Sequence, residues 1–409
     1  MFSWLRTGVN LIVSNFEVTV EKLVYGGDGL ARLDGRVVFA PFVLPGERIV
    51  VRPEQEKPGM VRARMVELLQ PAPERAVAPC PVFGRCGGCH YQHAPYEYQL
   101  DLKGAVLAEE LRRLGKIEPP AEIAIVSAEP WAYRNRVQLH IANGRLGYRE
   151  ARSHKLCAID ACPIASPKLN EVIALLNGML RDSRWPRFIR AIEIFTDERQ
   201  VQLNVVETDR PVARRFFDWC AETIPGLVDG PLDYDGRFRV SRNSFFQVNR
   251  FLLDLLVDRA IGGVRGESAI DVYAGVGLFS LALARRFGTV TAVESGSTAV
   301  RDLQFNAERA GIGNVLTAQQ AAEEFFTRLE QPADLILLDP PRAGLGKVVV
   351  RRLTELLPRE IVIVACDPAT LARDLAGLAA AGYRIEEMTL LDLFPQTYHI
   401  ETVVRLKIG

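Results

Sequence analysis

Residues 269–277 read Ala-Ile-Asp-Val-Tyr-Ala-Gly-Val-Gly: an apolar run closes in a glycine-bracketed turn, and a helical segment begins near Phe279. The glycines let backbone amides come close to a ligand and turn the chain into a helix N-terminus, whose dipole favours negative charge. Three further apolar runs, Thr289–Val293, Leu335–Leu338 and Ile361–Ala365, alternate with helical segments. This alternation predicts an α/β fold with a parallel, doubly wound sheet that binds ligands beyond the carboxyl ends of its strands.

The turn itself narrows the ligand. Glu294 ends the second strand 23 positions after Asp271, where a carboxylate can accept hydrogen bonds from ribose hydroxyls. A dinucleotide loop of the form Gly-x-Gly-x-x-Gly would need glycine at position 280, which is Ser280. A nicotinamide cofactor is therefore disfavoured. A methionine-derived cofactor, with a ribose and no pyrophosphate, fits better.

Two strand ends carry chemistry. Asp339-Pro340-Pro341-Arg342 closes the third strand, and its prolines rigidify the turn that presents the carboxylate. Similar Asp-Pro-Pro-Tyr loops hold exocyclic amino groups in amino-methyltransferases, but Arg342 stands here in place of the aromatic residue. Cys366 leaves the fourth strand at the same edge, ahead of Asp367-Pro368. An isolated cysteine is more often a core residue; the company of Asp339 points instead to a nucleophile. A thiolate that adds to carbon 6 of uracil would activate carbon 5, a poor nucleophile by itself, and a base must then remove the carbon-5 proton. Glu401, within Phe394-Pro-Gln-Thr-Tyr-His-Ile-Glu401, is the candidate base.

Upstream, residues 17–69 alternate short apolar stretches with Gly and Pro turns, as in a small OB-like barrel. A Pro-rich connector, 71–81, leads into Cys80-x5-Cys86-x2-Cys89, with Cys157 and Cys162 downstream. Thiols at this spacing suit tetrahedral zinc or a 4Fe-4S cluster, and spacing alone leaves both open. A helix is predicted over 96–114, with Leu100, Leu107, Leu111 and Leu114 as its apolar stripe and Gly115 as its stop. Cys220 is read as packed in a helix. Strand-like runs follow at 137–141, 191–195 and 201–206.

Together these residues resemble the RNA uracil-5-methyltransferase family, in its TRAM-bearing, iron–sulfur 23S ribosomal RNA branch. The likeness spans nearly the whole chain. It rests on the barrel, the cysteine cluster, Phe245-Phe-Gln-Val-Asn249, the glycine turn, Asp339-Pro-Pro-Arg342, Ala365-Cys-Asp-Pro-Ala-Thr-Leu-Ala-Arg-Asp-Leu375 and the terminal Phe-Pro-x-Thr-x-His-x-Glu segment. The resemblance implies that Gln247, Tyr273, Glu294 and Asp339 contact S-adenosyl-L-methionine, that Cys366 attacks the base and that Glu401 deprotonates it. It shifts the cysteine cluster toward 4Fe-4S, with Cys80, Cys86, Cys89 and Cys162 as ligands and Cys157 as the alternative fourth. Ala274 and Leu278 depart from the family pattern, where cysteine and asparagine are common, and bear on cofactor contacts rather than on the chemistry.

The implied organisation is a TRAM/OB-like barrel at 12–70, a central α+β iron–sulfur domain at 71–240, with helix 96–115 against the catalytic part, and a Rossmann-like class I methyltransferase domain at 241–409. With 48% hydrophobic and 24% charged residues the chain has ordinary globular composition. Its longest early apolar run, 9–13, is far below the ~18 residues that span a bilayer, so a cytoplasmic, monomeric enzyme is expected. Net charge is zero, yet Arg134–Lys155 holds six basic residues and one acidic, and a second basic patch runs over 181–190. RNA is the expected partner, 23S ribosomal RNA ahead of transfer RNA modified at uridine 54, and a non-catalytic iron–sulfur RNA-binding protein is the alternative of a different class.

Overall fold

The structure, a computed structural model, describes residues 14–409; the apolar run at 9–13 and the extension around it lie outside the described residues. Strands β1 (Phe16–Leu23), β2 (Asp28–Leu33), β3 (Arg36–Pro41), β4 (Arg48–Lys57) and β5 (Met60–Gln70) close a barrel in the order β1-β2-β3-β5-β4. Alternation turns Val18 and Val20 of β1 inward onto Val38, Ile49, Val51 and Val61. Gly29 is required by space rather than by torsion: a Cβ there would sit 2.3 Å from a Val43 methyl. The Pro-rich connector is tied back to the barrel by the fully buried Glu47, which accepts from Leu44 N at 2.8 Å and from Arg75 Nη2 at 2.8 Å.

The predicted helix is α1 (Tyr96–Glu110), extended by one wider turn through Gly115 and ended by Lys116 in the left-handed region. Its buried face is Leu102, Lys103, Val106, Leu107 and Leu111. The expected stripe was off by part of a turn: Leu100 is half-buried and Leu114 is exposed. The reason is that a lysine occupies the centre of the buried face, so apolar periodicity misplaces it. Gly115 lies close against Ala372, whose carbonyl oxygen a Cβ would meet at 2.8 Å.

Beyond α1, β6 (Ala124–Val126) precedes an antiparallel sheet of β7 (Arg136–Ala142), β8 (Arg145–Arg149), β9 (Leu156–Ala158), β10 (Ile189–Thr196) and β11 (Val201–Thr208), ordered β11-β10-β7-β8-β9. Helices α2 (Pro167–Met179) and α3 (Arg214–Thr223) cover it, and Cys220 is packed in this core as expected. A hairpin of β12 (Leu232–Tyr234) and β13 (Phe238–Val240) then leads to α4 (Leu253–Ile261).

The remaining chain alternates as its apolar runs predict: β14 (Gly266–Val272), α5 (Leu278–Leu283), β15 (Phe287–Glu294), α6 (Ser297–Arg309), β16 (Val315–Gln319), α7 (Ala322–Arg328), β17 (Leu335–Leu338), α8 (Gly346–Leu356), β18 (Glu360–Ala365), α9 (Pro368–Ala380), β19 (Tyr383–Leu391) and β20 (Glu401–Ile408). They form a sheet ordered β16-β15-β14-β17-β18-β20-β19-β6, in which β20 runs antiparallel to its neighbours. The eighth strand, β6, pairs parallel with β19 through Thr389↔Ala124. Strand β6, from the stretch expected as a central unit, therefore belongs to the catalytic sheet.

Between β19 and β20 the chain makes an irregular loop, 392–400, held from outside by α1. Lys103 Nζ, fully buried, donates to Asp392 Oδ1 at 2.6 Å and to Phe394 O at 3.0 Å, and Tyr96 Oη donates to Asp392 Oδ2 at 2.9 Å. Burial draws the lysine's pKa down, and the Asp392 carboxylate opposes that by favouring the charged form. Removing one partner of such a pair strands the other charge, so Lys103→Met should lower stability by about 3–5 kcal/mol. In urea unfolding, Lys103→Met with Asp392→Asn should recover more than half of that loss.

Candidate active site

Sheet register brings the distant residues together. Val272↔Leu338, Leu338↔Ile363 and Ala365↔Thr402 place the ends of β14, β17 and β18 and the start of β20 at one edge. Tyr273, Asp339, Cys366 and Glu401 are the next residues at that edge. Because β20 is antiparallel, its first residue, not its last, lies beside Cys366.

Glu401 is buried, and Asp339 and Cys366 are half-buried. Burial, then the Asp271 carboxylate, pushes Asp339 up to about 7. Burial and then Asp339 hold Glu401 well above the usual carboxylate range, with Arg342 pulling the other way. Burial pushes the Cys366 thiol up to about 12; Glu401 and Asp339 add to the rise, and Arg342 opposes it. A proton acceptor and a latent thiolate thus lie at one sheet edge, near the Arg342 guanidinium. Its guanidinium reaches the His399 ring nitrogens at 3.3 and 3.4 Å, and burial, first, holds His399 down to about 3.

The glycine turn is built around two carboxylates. Glu294 Oε2 accepts from Gly275 N at 3.0 Å and Oε1 from Gly296 N at 2.6 Å. A carboxylate offers about four lone-pair directions, so ribose hydroxyls can still be accepted. Asp271, fully buried, takes the Ser280 hydroxyl on Oδ2, while Oδ1 has no partner. Ser280 therefore anchors the start of α5 where a dinucleotide loop would carry its third glycine. Tyr273 adopts φ +65°, which swings its half-buried ring out of the strand. Gln247 is buried, and its segment is bonded to β7 through Asn135 N to Val248 O at 2.9 Å.

Four thiols, Cys80, Cys86, Cys89 and Cys162, line one cavity with Tyr148 and Arg134. Cys157 is not among its lining residues; it is fully buried on β9 and its Sγ accepts from Arg85 Nε at 3.4 Å. Gly88 N lies 3.4 Å from Cys86 Sγ as donor. Among the described residues no group of three or more His, Cys, Asp or Glu side chains is gathered as a metal-ion site. The loop that follows the cluster touches the active site, for His90 N and Tyr91 N donate to Gln396 O at 2.7 and 3.0 Å.

Sequence reading missed Asp271, Ser280, Lys103, Asp392 and Tyr25. Tyr25, in the turn after β1, places its hydroxyl 3.4 Å from Cys366 O as donor. The basic stretch after Arg134 is only partly a surface: Arg136 is buried, stacked 4.2 Å over Phe195 and bonded to Ser244 O at 2.8 Å, whereas Arg145, Arg149, Arg152 and Lys155 are exposed. In the 181–190 patch Arg184 pairs with Asp182 at 2.7 Å and Arg190 with Asp209 at 2.7 Å, which leaves less free positive charge than the sequence suggests.

Known proteins agree with this architecture. Residues 228–408 match the tRNA (Uracil-5-)-methyltransferase family and residues 11–66 the TRAM domain. The chain is 38% identical over 439 residues to an uncharacterized RNA methyltransferase of Streptomyces coelicolor, covering 98% of this chain and 94% of that protein. It is 34% identical over 419 residues to the 23S rRNA (uracil(1939)-C(5))-methyltransferase RlmD of Pectobacterium atrosepticum, covering 95% and 93%. The Pyrococcus abyssi tRNA (uracil-54, C5)-methyltransferase, solved in complex with S-adenosyl-L-homocysteine, superposes with a TM-score of 0.74 at 27% identity over 96% of this chain and 100% of that one. Fold and site together define a class I RNA methyltransferase. The chain belongs to the RNA uracil-5-methyltransferase family, with an N-terminal TRAM domain, so it is an enzyme rather than a non-catalytic RNA-binding protein.

The electrostatics of Cys366 are open to direct measurement. Removing the charge of Glu401 as Glu401→Gln should lower the thiol's pKa and speed iodoacetamide alkylation at a fixed pH between 8 and 10; Arg342→Gln should raise the pKa and slow it. Rate–pH profiles of the free enzyme check both directions.

Proposed function

We propose that this enzyme methylates carbon 5 of an unpaired uridine in 23S ribosomal RNA through a covalent bond from Cys366 to carbon 6, with S-adenosyl-L-methionine as methyl donor. The observation that carries the reading is the convergence of Cys366, Asp339 and Glu401 at one sheet edge beside the glycine turn. S-Adenosyl-L-methionine, when bound, supplies an electrophilic methyl on a sulfonium. Gln247, Tyr273, Glu294 and Asp339 are the residues that would hold it, Glu294 at the ribose.

A cation beside Asp339 favours the ionised carboxylate and offsets the negative field that holds the Cys366 thiol protonated. Cys366, its proton lost to water, then adds as thiolate to carbon 6, and the electron pair of the 5,6 double bond moves to carbon 5, which would take the methyl as the sulfonium's S–CH3 bond breaks and leaves a neutral thioether. Glu401, ionised, removes the carbon-5 proton. Its raised pKa makes it a stronger base than an exposed carboxylate. As the double bond re-forms, Cys366 leaves carbon 6. Access to carbon 6 requires the base out of its stack, at a cost of a few kcal/mol that is smallest in a loop.

Identity over 95% of the chain to the Pectobacterium enzyme supports 23S ribosomal RNA; the superposition on the Pyrococcus enzyme supports the second reading, uridine 54 of transfer RNA. Mass spectrometry of 5-methyluridine in each RNA class, with and without the gene, decides between them. Cys366→Ala should abolish methylation, a loss of at least about 10⁴-fold. Glu401→Gln should instead accumulate an RNA–enzyme adduct that survives denaturing gel electrophoresis; full turnover by Cys366→Ala would refute the mechanism.

The cavity of four thiols supports a 4Fe-4S cluster held by Cys80, Cys86, Cys89 and Cys162, since each iron of such a cluster takes one thiolate. It would brace the loop whose amides hold Gln396 rather than take part in methyl transfer. Anaerobically purified protein should absorb near 400 nm and carry about four irons. Cys162→Ser should lose both properties and Cys157→Ser should keep them, whereas stoichiometric zinc without absorbance would replace this assignment.

A further inference from the structure

The barrel reaches the catalytic strand end through one turn. Between β1 and β2, Val24–Gly27 projects toward the sheet, with Gly26 and Gly27 at φ +105° and +87°. Four neighbours fix it and the first residue of β2. The Tyr25 ring meets Tyr398 edge-on at 5.6 Å and 89°. A Cβ on Gly27 would lie 3.3 Å from His90 Cβ, so the turn is pressed against the residue that follows Cys89. Asp28 receives Arg62 at 3.2 Å and also Arg152 from the β8–β9 turn.

In this setting the half-buried Tyr25 donates through its hydroxyl to Cys366 O at 3.4 Å, with the Asp367 carboxylate nearby. Asp367 is the N-cap of α9, and its Oδ1 accepts from Ala369 N at 3.0 Å and Thr370 N at 2.9 Å. The hydroxyl therefore bonds the carbonyl of the nucleophile and lies near the cap of the helix behind it, the two residues that define how the chain leaves β18.

We propose that Tyr25 is a positioning residue for methyl transfer, by which the N-terminal barrel sets the place of the Cys366 thiol through the Cys366 carbonyl and Asp367. The barrel is then a wall of the active site and not only a tethered RNA-binding module. Asp367 is also one of the carboxylates that disfavour the thiolate. The hydroxyl dipole, held on the Cys366 carbonyl beside that carboxylate, offsets part of its field at the sulfur, so loss of the hydroxyl makes the thiolate harder to form. The proposal rests on Cys366 being the nucleophile.

Tyr25→Phe keeps the ring against Tyr398 and removes only the hydroxyl. With the full-length enzyme and total RNA from cells lacking the gene, kcat should fall up to about tenfold, the loss of one hydrogen bond. KM for RNA and for S-adenosyl-L-methionine should stay within about twofold, and alkylation of Cys366 at pH 8 should slow about threefold, half a pKa unit. Asn caps helices about as well as Asp, so Asp367→Asn is a usable background, and there Tyr25→Phe should cost less than about twofold further if the two act as one unit. Unchanged kcat and alkylation, or a loss confined to KM for RNA, would overturn the proposal. Retained methylation in Cys366→Ala would instead remove the assignment it stands on, whatever Tyr25 does.

Discussion

The buried contact of Lys103 with Asp392 is the constraint on which the catalytic architecture turns. An irregular loop of nine residues, 392–400, must deliver Glu401 to the sheet edge, and such a segment carries backbone groups that no ladder satisfies. The chain answers with side chains from elsewhere. Lys103 takes Phe394 O, Tyr133 Oη takes Pro395 O at 3.1 Å, Asn249 Nδ2 takes Leu393 O at 3.1 Å, and Gln99 bonds the backbone and side chain of Gln396 at 3.2 and 3.0 Å. Even the cysteine loop spends two amides on Gln396 O. Helix α1, the cysteine loop and the segment around Gln247 are thus locked to one another through a loop that none of them contains.

That lock explains how a mutually repelling set of groups can be kept close. Asp271, Asp339, Glu401 and Cys366 are all pushed toward their neutral forms because burial and their neighbours penalise charge. A looser frame would let the carboxylates swing to water. Held in place, they form a site whose charge is supplied only when a cation arrives, so electrostatic readiness and occupancy of the crevice are one event.

Much of this was legible in the chain before folding was considered. A strand buried on both faces writes itself as an unbroken apolar run, and β14, β15, β17 and β18 were read that way with the strand ends where they lie. The barrel followed from alternation and glycine turns. What escaped notice depends on partners far off in sequence. Strand β6 is only three residues long and draws its identity from β19. Lys103 reads as a solvent residue until Asp392 is placed against it, Arg136 reads as part of a basic surface until Phe195 is stacked beneath it, and nothing near Tyr25 in the chain hints at Cys366. Adjacency to a strand end would have found Asp271, whose hydroxyl partner Ser280 was noted only as the absence of a glycine.

The pairing of β6 with β19 also has a meaning in time. Residues 124–126 leave the ribosome some 265 residues before their partners at 389–391. Over that interval α1 has neither Asp392 for its lysine nor α9 for its apolar side, so the early third of the chain carries an exposed apolar helix and an unclaimed strand. The barrel and the antiparallel sheet, whose ladders are closed within themselves, can form as the chain emerges, whereas the catalytic sheet is completed only by its final strands. Synthesis itself thereby gates activity: a chain truncated before α9 lacks Glu401 and leaves α1 as a hydrophobic tag open to quality control.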